Sequence, residues 1–212
     1  IFDPDFLKTV WYSAARILGG FFTALTLGTV LGWVASRFWV VETLLRPITA
    51  AIKATPVASF IILVLLWFSG KNLSVIISML MVFPVIYMNV LEGIRSADEK
   101  LLEMAQVFRL SVGKKLLYIY LPAVAPFFVS ACSVSLGLCW KSGIAAEVIG
   151  TPDGSIGAVF YQAKIFLQTS ELLAWTVVVV AVSVAFEKLF MFLLRLVLKK
   201  LKMEDVLNGK RA

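Results

Sequence analysis

Five long uncharged stretches decide what this chain can fold into. Each holds between 15 and 25 residues without Asp, Glu, Lys or Arg. About 20 mostly apolar residues of α-helix cross a bilayer, and tilt or snorkelling absorbs a few residues either way. Strands of membrane barrels alternate in polarity over about ten residues, whereas these stretches are uniformly apolar. We therefore predict an all-α polytopic membrane protein with five spans, at 17–36, 54–70, 72–91, 116–140 and 172–198.

The composition supports one membrane domain rather than several soluble ones. Hydrophobic residues make up 60% of the chain, against about 45–50% in soluble domains. We find no internal repeat, no low-complexity segment and no second folded domain. The whole of 1–212 is therefore predicted to be a single transmembrane domain, embedded in a lipid bilayer.

The placement of the positive charges predicts the orientation of the spans. Short loops rich in Lys and Arg stay on the cytoplasmic side of a membrane. Basic residues concentrate between spans one and two, between spans three and four, and after span five. These residues are Arg37, Arg46, Lys53, Arg95, Lys100, Arg109, Lys114, Lys115, Arg195, Lys199, Lys200, Lys202, Lys210 and Arg211. We expect the start outside, the C-terminus in the cytoplasm, and no nucleic-acid partner, because these charges flank spans.

Several kinds of chemistry lack their usual residues here. The chain has no histidine, the commonest general base. Cys132 and Cys139 fall seven residues apart in the fourth span, where we expect them to pack as small apolar side chains. The glycine-rich run 150–157 lacks the G-K-[ST] ending of a phosphate loop. We therefore predict no metal site, no cofactor and no catalysis in this chain, and any ATP must be bound by a partner.

A charged loop, 92–115, separates the third and fourth spans. Ser96 and Glu99 have the spacing of a capping box, which predicts the start of a helix. Apolar residues then recur at i, i+3, i+4 and i+7, so they form one face of a helix at about 97–108 that lies outside the bilayer. The residues of this apolar face are Leu101, Met104, Ala105 and Phe108.

The same loop carries a motif that resembles a known family. Glu103 and Ala105, with Ile119 and then Leu121-Pro122, resemble the E-A-A…G…I-x-L-P loop of permease subunits in bacterial ABC importers. Two positions depart from that pattern: Met104 replaces the middle alanine, and Arg109 stands where the family has glycine. Gly113 is close by but out of register. The geometry of the turn after the helix therefore stays open.

Further stretches resemble the nitrate, sulfonate and taurine branch of these permeases. They lie around 121–123, 140–147 and 155–157. The resemblance implies a type I importer fold in the bacterial plasma membrane, with two permease subunits (as a homodimer), two ATPase subunits that bind ATP and Mg²⁺, and an external substrate-binding protein. Such permeases have six spans, so the start at Ile1 suggests that a first span is missing. The implied substrate is a small anion, sulfonate-like or nitrate-like.

The resemblance gives the loop a role in coupling. It implies that the ATPase subunit holds the helix at 97–108 by its apolar face, while Glu103 meets a cationic residue of that subunit. Arg109, Gly113, Ile119, Leu121 and Pro122 complete the predicted coupling set. The alternative is an amphipathic helix on lipid headgroups. Asp98, Glu99 and Glu103 argue against anionic lipid as the partner of this helix.

Lys141 is a second candidate site, because ionisable groups inside a membrane usually face a cavity or a partner. Helical spacing back from Lys141 gives Gly137, Ser133 and Ser130, a small polar face that we predict to line a translocation pathway. Glu147 is added to this pathway set. It points about 120° away from Lys141 in a continuous helix, so a direct pair requires a break at Gly143. The alternative is that Lys141 has a structural partner such as Glu171, Glu187 or a backbone carbonyl.

Two other classes of protein compete with an importer subunit. An ion-coupled secondary transporter often has broken helices and inverted repeats. Pro84 and the irregular stretch 141–150 permit this reading, but no repeat is found and five spans divide badly. A membrane enzyme needs convergent nucleophiles, bases or metal ligands, and without histidine it is the weakest alternative. The sequence leaves the identity of the transported solute open.

Overall fold

The computed structural model describes residues 4–200, and the regular structure of that part of the chain is helical. Residues 112–150 form one continuous helical segment, in which a short helix and a π-helical turn directly precede the long helix. The helices are α1 Pro4–Arg37, α2 Trp39–Ala54, α3 Val57–Trp67, α4 Gly70–Arg95, α5 Glu99–Val107, α6 Val112–Lys115, the π-turn Leu116–Tyr120, α7 Leu121–Gly150, α8 Ile156–Ile165 and α9 Thr169–Lys200.

Four helical segments are long and apolar enough to cross a membrane, namely Asp5–Arg37, Gly70–Arg95, Val112–Gly150 and Thr169–Lys200. They contain the predicted spans one, three, four and five, so those four predictions are confirmed as helices. The predicted basic C-terminal tail after Lys200 lies outside the described residues.

The predicted second span, 54–70, is wrong in its extent. Its helix α3 has only 11 residues, about 16 Å at 1.5 Å per residue, which is too short for a bilayer core of about 30 Å. Instead, α2 and α3 together form a candidate fifth span that is bent by 108° between them. The bend follows from Pro56, because proline disfavours helical geometry in the residue before it. Thr55 is accordingly extended, with φ −81° and ψ 133°.

Helices α1 and α4 run parallel and pack very closely. Gly28 lies against Ile86 and, four residues further along each helix, Gly32 lies against Val90, so the two helices run in the same direction. A Cβ atom at Gly28 would come within 2.9 Å of Ile86 Cγ2. A stripe of small residues on α1 (Ala24, Gly28, Gly32 and Ser36) thus lets α4 approach closely, although Ser36 itself is only partly covered.

Helix α7 runs antiparallel to α4 and completes a three-helix core. At one end Gly70 meets Gly150, and at the other Gly93 meets Val124. Between them, Ser78 Oγ donates a hydrogen bond of 3.2 Å to the carbonyl oxygen of Cys139. The side chains buried in this core include Ile17, Phe21, Val82, Ile86, Cys132, Leu136, Cys139 and Trp140. Both cysteines are free thiols that are fully buried in this core, which confirms the prediction that they pack as small side chains.

Helix α9 packs on the outside of this core. Phe190 makes an edge-to-face contact with Phe21 of α1, with 5.3 Å between the ring centroids. Ser133 Oγ of α7 donates a 2.9 Å hydrogen bond to Glu187 Oε1. The opposite side of α9 is exposed, with large apolar side chains such as Phe192 and Leu193. This side is available to lipid or to another subunit.

Candidate functional site

Helix α5 lies in the predicted coupling loop, and Asp98 caps its start. The Asp98 side chain accepts a 2.9 Å hydrogen bond from the Lys100 amide. The predicted capping box of Ser96 and Glu99 is wrong. Ser96 ends α4 instead, and its hydroxyl donates to the Gly93 carbonyl oxygen at 2.9 Å. The carboxylate nearer to the first free amides of α5 takes the capping position.

The predicted apolar face of α5 divides into an inner and an outer part. Ala105 is fully buried and packs with Ala97 and Ile119. Three other residues of that face point away from the chain: Leu101 is 43% exposed, Met104 50% and Phe108 70%. Glu103 is also exposed. One small residue thus anchors α5 to its own subunit, while the three larger apolar side chains remain uncovered within residues 4–200.

The turn after α5 places Arg109 in the left-handed conformation, with φ 50°. The Leu110 amide donates to the Ala105 carbonyl at 2.9 Å, and the Arg109 amide donates to that of Gln106 at 3.0 Å. These two bonds define a Schellman motif, whose left-handed position is usually glycine. The family pattern has glycine at this position. The structure shows a left-handed turn there with arginine in its place, which answers the question that the sequence left open. Gly113 is not part of this turn and lies in α6.

The chain after this turn anchors α5 to the membrane helices. Ile119, in the π-turn, is buried against Ala105. Leu121 and Pro122 directly follow the π-turn at the start of α7. Leu121 also packs on the cluster that joins Ala125 to Leu198 of α9. The structure therefore brings the predicted residues Ala105 and Ile119 together, and it places Leu121 in a separate cluster that joins α7 to α9.

The predicted pathway residues fall on different sides of α7. Ser130 and Lys141 are exposed, and Gly137 lies between them on the same face with open space where a Cβ atom would be. Lys141 makes no hydrogen bond or ion pair within the described part of the chain, so neither Glu171 nor Glu187 is its partner there. Ser133 sits at the edge of this face, with its hydroxyl bonded to Glu187.

Glu147 lies away from this open face. Helix α7 continues through Gly143 without a break, so Glu147 points into the protein, where it is fully buried. Its Oε2 atom accepts hydrogen bonds from Ser13 Oγ at 2.6 Å and from the Gly157 amide at 3.4 Å. The Ile156 amide in turn donates to Ser13 Oγ at 2.9 Å. Glu147 and Ser13 thus hold the start of α8 against α1 and α7.

Ser13 was not found by sequence reasoning, because a lone serine at the start of a span carries no local signal. Its role depends on a carboxylate that is 134 residues away in the chain. Within residues 4–200, no three His, Cys, Asp or Glu residues are arranged to hold a metal ion. The geometry of this part therefore offers a short helix with an exposed apolar face, an open polar face on α7 and a buried structural carboxylate.

Comparison with known proteins gives these features a context. The family described as binding-protein-dependent transport system inner membrane component matches residues 24–203. A putative aliphatic sulfonates transport permease protein of Bacillus subtilis is 30% identical, over 81% of this chain and 62% of its own length. The taurine transport system permease protein of Escherichia coli is 27% identical, over 84% of this chain and 66% of its own length. A nitrate import permease protein of Synechococcus elongatus is 25% identical, over 77% of this chain and 66% of its own length.

The chain thus spans less than two thirds of the length of each of these relatives. A solved structure, the crystal structure of an amino acid ABC transporter with histidines, is similar in fold with a TM-score of 0.62. The match covers 92% of this chain and 96% of that one, at 16% sequence identity. This likeness concerns the arrangement of the helices alone.

Proposed function

Since this chain belongs to the family of binding-protein-dependent transport system inner membrane components, we propose that it is the transmembrane subunit of an ATP-driven importer. Two such subunits form the passage, two ATPase subunits bind ATP and Mg²⁺, and an external binding protein delivers the solute. The chain itself has no catalytic role. The predicted topology places the C-terminus and α5 in the cytoplasm, on the same side as the ATPase.

The observation that carries this proposal is the surface of α5. Leu101, Met104 and Phe108 are large and apolar, and they are exposed on a short helix that lies between membrane spans. Ala105 fixes the same helix to Ile119 at the entrance of α7. Apolar residues that are uncovered in one subunit and clustered on one face favour a protein partner. A partner that pushes on this face would move the start of α7.

Replacing Phe108 with Asp tests the docking surface. A charge at this position should remain hydrated in the isolated subunit, because the side chain is 70% exposed. In the complex it would be buried without a partner, which is costly. We expect Phe108→Asp to fold normally but to lose co-purification of the ATPase when the whole operon is expressed.

The matched control is Leu167→Asp. Leu167 is 85% exposed and lies between α8 and α9, at the other end of the membrane helices. This variant should retain the ATPase. Equal retention of the ATPase by both variants would refute α5 as the coupling surface, and loss of the ATPase from both would show that the assay reports general damage.

For the solute, we propose a small anion. The relatives named above are permeases for sulfonates, taurine and nitrate, and Lys141 supplies an unpaired positive charge on the open face of α7. Lys141→Met should lower the uptake of sulfonate or nitrate by the reconstituted complex. Lys164→Met, which removes an exposed lysine from α8, is the control. Unchanged uptake and unchanged solute preference in Lys141→Met would remove Lys141 from the pathway.

The bent pair α2 and α3 gives one reason to test ion-coupled transport as a second candidate. Broken spans of this kind are common at the sites of secondary transporters. Uptake into vesicles separates the two mechanisms. An ATP-driven importer stops when ATP is removed while the ion gradient is kept. Uptake that persists under those conditions would favour the secondary transporter.

A further inference from the structure

Helices α2 and α4 are joined by an ion pair at the predicted cytoplasmic end of the spans. Arg95, the last residue of α4, donates from Nη2 to Glu42 Oε2 of α2 at 2.5 Å. The Arg95 side chain is 50% exposed and that of Glu42 is 23% exposed. Pairs that are exposed to this degree add little to stability. The pair can therefore break and form without unfolding the protein.

Each member of this pair has a second partner within reach on its own helix. Arg46 follows Glu42 by four residues on α2, and Glu92 precedes Arg95 by three residues on α4. Residues three or four apart on a helix are neighbours on its surface. If the two helices separate, Glu42 can pair with Arg46 and Arg95 with Glu92. All four charges are then paired, whereas in the observed arrangement Arg46 and Glu92 form no ion pair within residues 4–200.

A cavity lies where such a rearrangement would take place. It has a volume of about 160 Å³, and all four charged residues line it. Tyr87 also lines it and is only 2% exposed, and its hydroxyl group makes no hydrogen bond within residues 4–200. Close-packed interiors resist small movements. The empty space beside the ion pair therefore lets these side chains change partners, and an unpaired hydroxyl is ready to accept or donate a bond.

Helices α4 and α2 connect to different parts of the chain, α5 and α3 respectively. Arg95 is followed by a short hydrogen-bonded link: the Ser96 amide donates to the Glu92 carbonyl, and the Ala97 amide donates to that of Ile94. Ala97 then packs under α5. Only residues 96–98 separate Arg95 from the start of α5, so a displacement of α5 acts close to Arg95. At its other end, α2 continues through the bend at Pro56 into α3.

We propose that the Glu42–Arg95 pair is an exchangeable link between α5 and the bent span α2–α3. In one state the pair joins α4 to α2, so that a displacement of α5 moves α2. In the other state Glu42 pairs with Arg46, Arg95 pairs with Glu92, and the bent span is released. This inference rests on the proposed function, because it needs a partner that displaces α5.

Charge reversal distinguishes an exchangeable link from a fixed salt bridge. The double variant Glu42→Arg with Arg95→Glu keeps the pair between helices but places like charges beside Arg46 and Glu92. A fixed salt bridge predicts normal uptake in this variant. Our proposal predicts a complex that assembles with the ATPase but has lost most of its ATP-driven uptake. Adding Arg46→Glu and Glu92→Arg restores both arrangements with opposite signs, and uptake should return.

A cross-link provides an independent measurement. Cysteines at positions 42 and 95, bridged by a bifunctional thiosulfonate reagent, hold the two helices together. Cys132 and Cys139 are fully buried and should not react. Before cross-linking, the single-cysteine and double-cysteine variants should all have reduced uptake, because each lacks a member of the pair. Cross-linking should lower the uptake of the double variant further, and a reductant should return it to its starting level, while the reagent should not change the uptake of either single variant. Full uptake by the bridged complex would overturn the link.

The wild-type complex separates this inference from the proposed function. Wild-type vesicles whose solute uptake persists when ATP is removed and the ion gradient is kept would refute the importer itself. Wild-type vesicles that transport, together with a double variant that transports equally well, would refute the exchangeable link alone. If the quadruple variant stays inactive although it assembles with the ATPase, the exchange is likewise refuted.

Discussion

Arg109 keeps a glycine-type turn without having a glycine. The left-handed conformation costs an ordinary residue about 1–2 kcal/mol, because Cβ crowds the next carbonyl oxygen. The turn nevertheless forms, since two backbone hydrogen bonds close it and Leu110 packs on the cluster around Ala105. The family motif identified position 109 as the turn residue, but it could not show that an arginine would adopt the left-handed conformation there. That outcome depends on the surrounding contacts.

Arg109→Gly should stabilise the coupling turn. Glycine reaches the left-handed region without the Cβ penalty, whereas Arg109→Ala removes the same charge and retains that penalty. We expect Arg109→Gly to be about 1 kcal/mol more stable than Arg109→Ala. The apparent midpoint of thermal unfolding can be followed by a thiol-reactive dye, because Cys132 and Cys139 become accessible only when the core opens. Equal midpoints for the two variants would contradict the backbone argument.

Glu147 should be essential for stability through its role as an acceptor. Glu147→Leu leaves the Ser13 hydroxyl and the Gly157 amide without their acceptor, which should destabilise the protein by about 2 kcal/mol or more. Glu147→Gln keeps an oxygen at the same place and should lose much less. The same dye assay measures both variants. The idea fails if leucine and glutamine have the same effect.

At the level of the helices, the length of the apolar runs predicted four spans well. The length of its apolar run did not predict the shape of the second segment. Pro56 was the one sign of a bend in that run, and a proline is compatible with either a helix start or a kink. The structure shows that Thr55 turns the chain sharply. The pairing of α1 with α4 was also only half visible. The small residues Gly28 and Gly32 permit a close neighbour, but they do not show which helix it would be.

Two adjacent glycines in α1 test that close packing. A Cβ atom at Gly20 would overlap the Val75 carbonyl oxygen and lie 2.8 Å from Ser78 Cβ, whereas one at Gly19 would meet nothing within 4 Å. Gly20→Ala should therefore destabilise the protein by about 1–3 kcal/mol. Gly19→Ala should be neutral or slightly stabilising, since alanine favours helix. Unfolding midpoints that shift equally would show that α1 and α4 are not in this contact.

For the whole molecule, the charge pattern predicts an orientation, and labelling can measure it. Val112 is 82% exposed in the charged loop, and Leu167 is 85% exposed before α9. In intact cells, a membrane-impermeant maleimide should label Leu167→Cys but not Val112→Cys. After permeabilisation both should react, and the wild-type chain is the background control. The reverse pattern would place α5 outside the cell and end the importer proposal.

The candidate site was predicted in its parts but not in its assembly. Leu101, Met104 and Phe108 were identified because helical periodicity is local. Ala105 was assigned to the same face, but it faces inwards because Ile119, which follows the turn, packs over it. Glu42 carried no signal at all, since its partner Arg95 is 53 residues away. Contacts between distant residues depend on the packing of whole helices, which no short window of sequence contains.

The bend between α2 and α3 restricts what can surround this protein. Ile52, near the end of α2, shares one buried cluster with Leu73, Ile77 and Met81, which belong to the apolar helix α4. The last carbonyls of α2 and the first amides of α3 have no partners within their own helices. Acyl chains cannot hydrogen-bond such groups. This corner must therefore be turned toward water or toward a second polypeptide, and lipid tails cannot cover it.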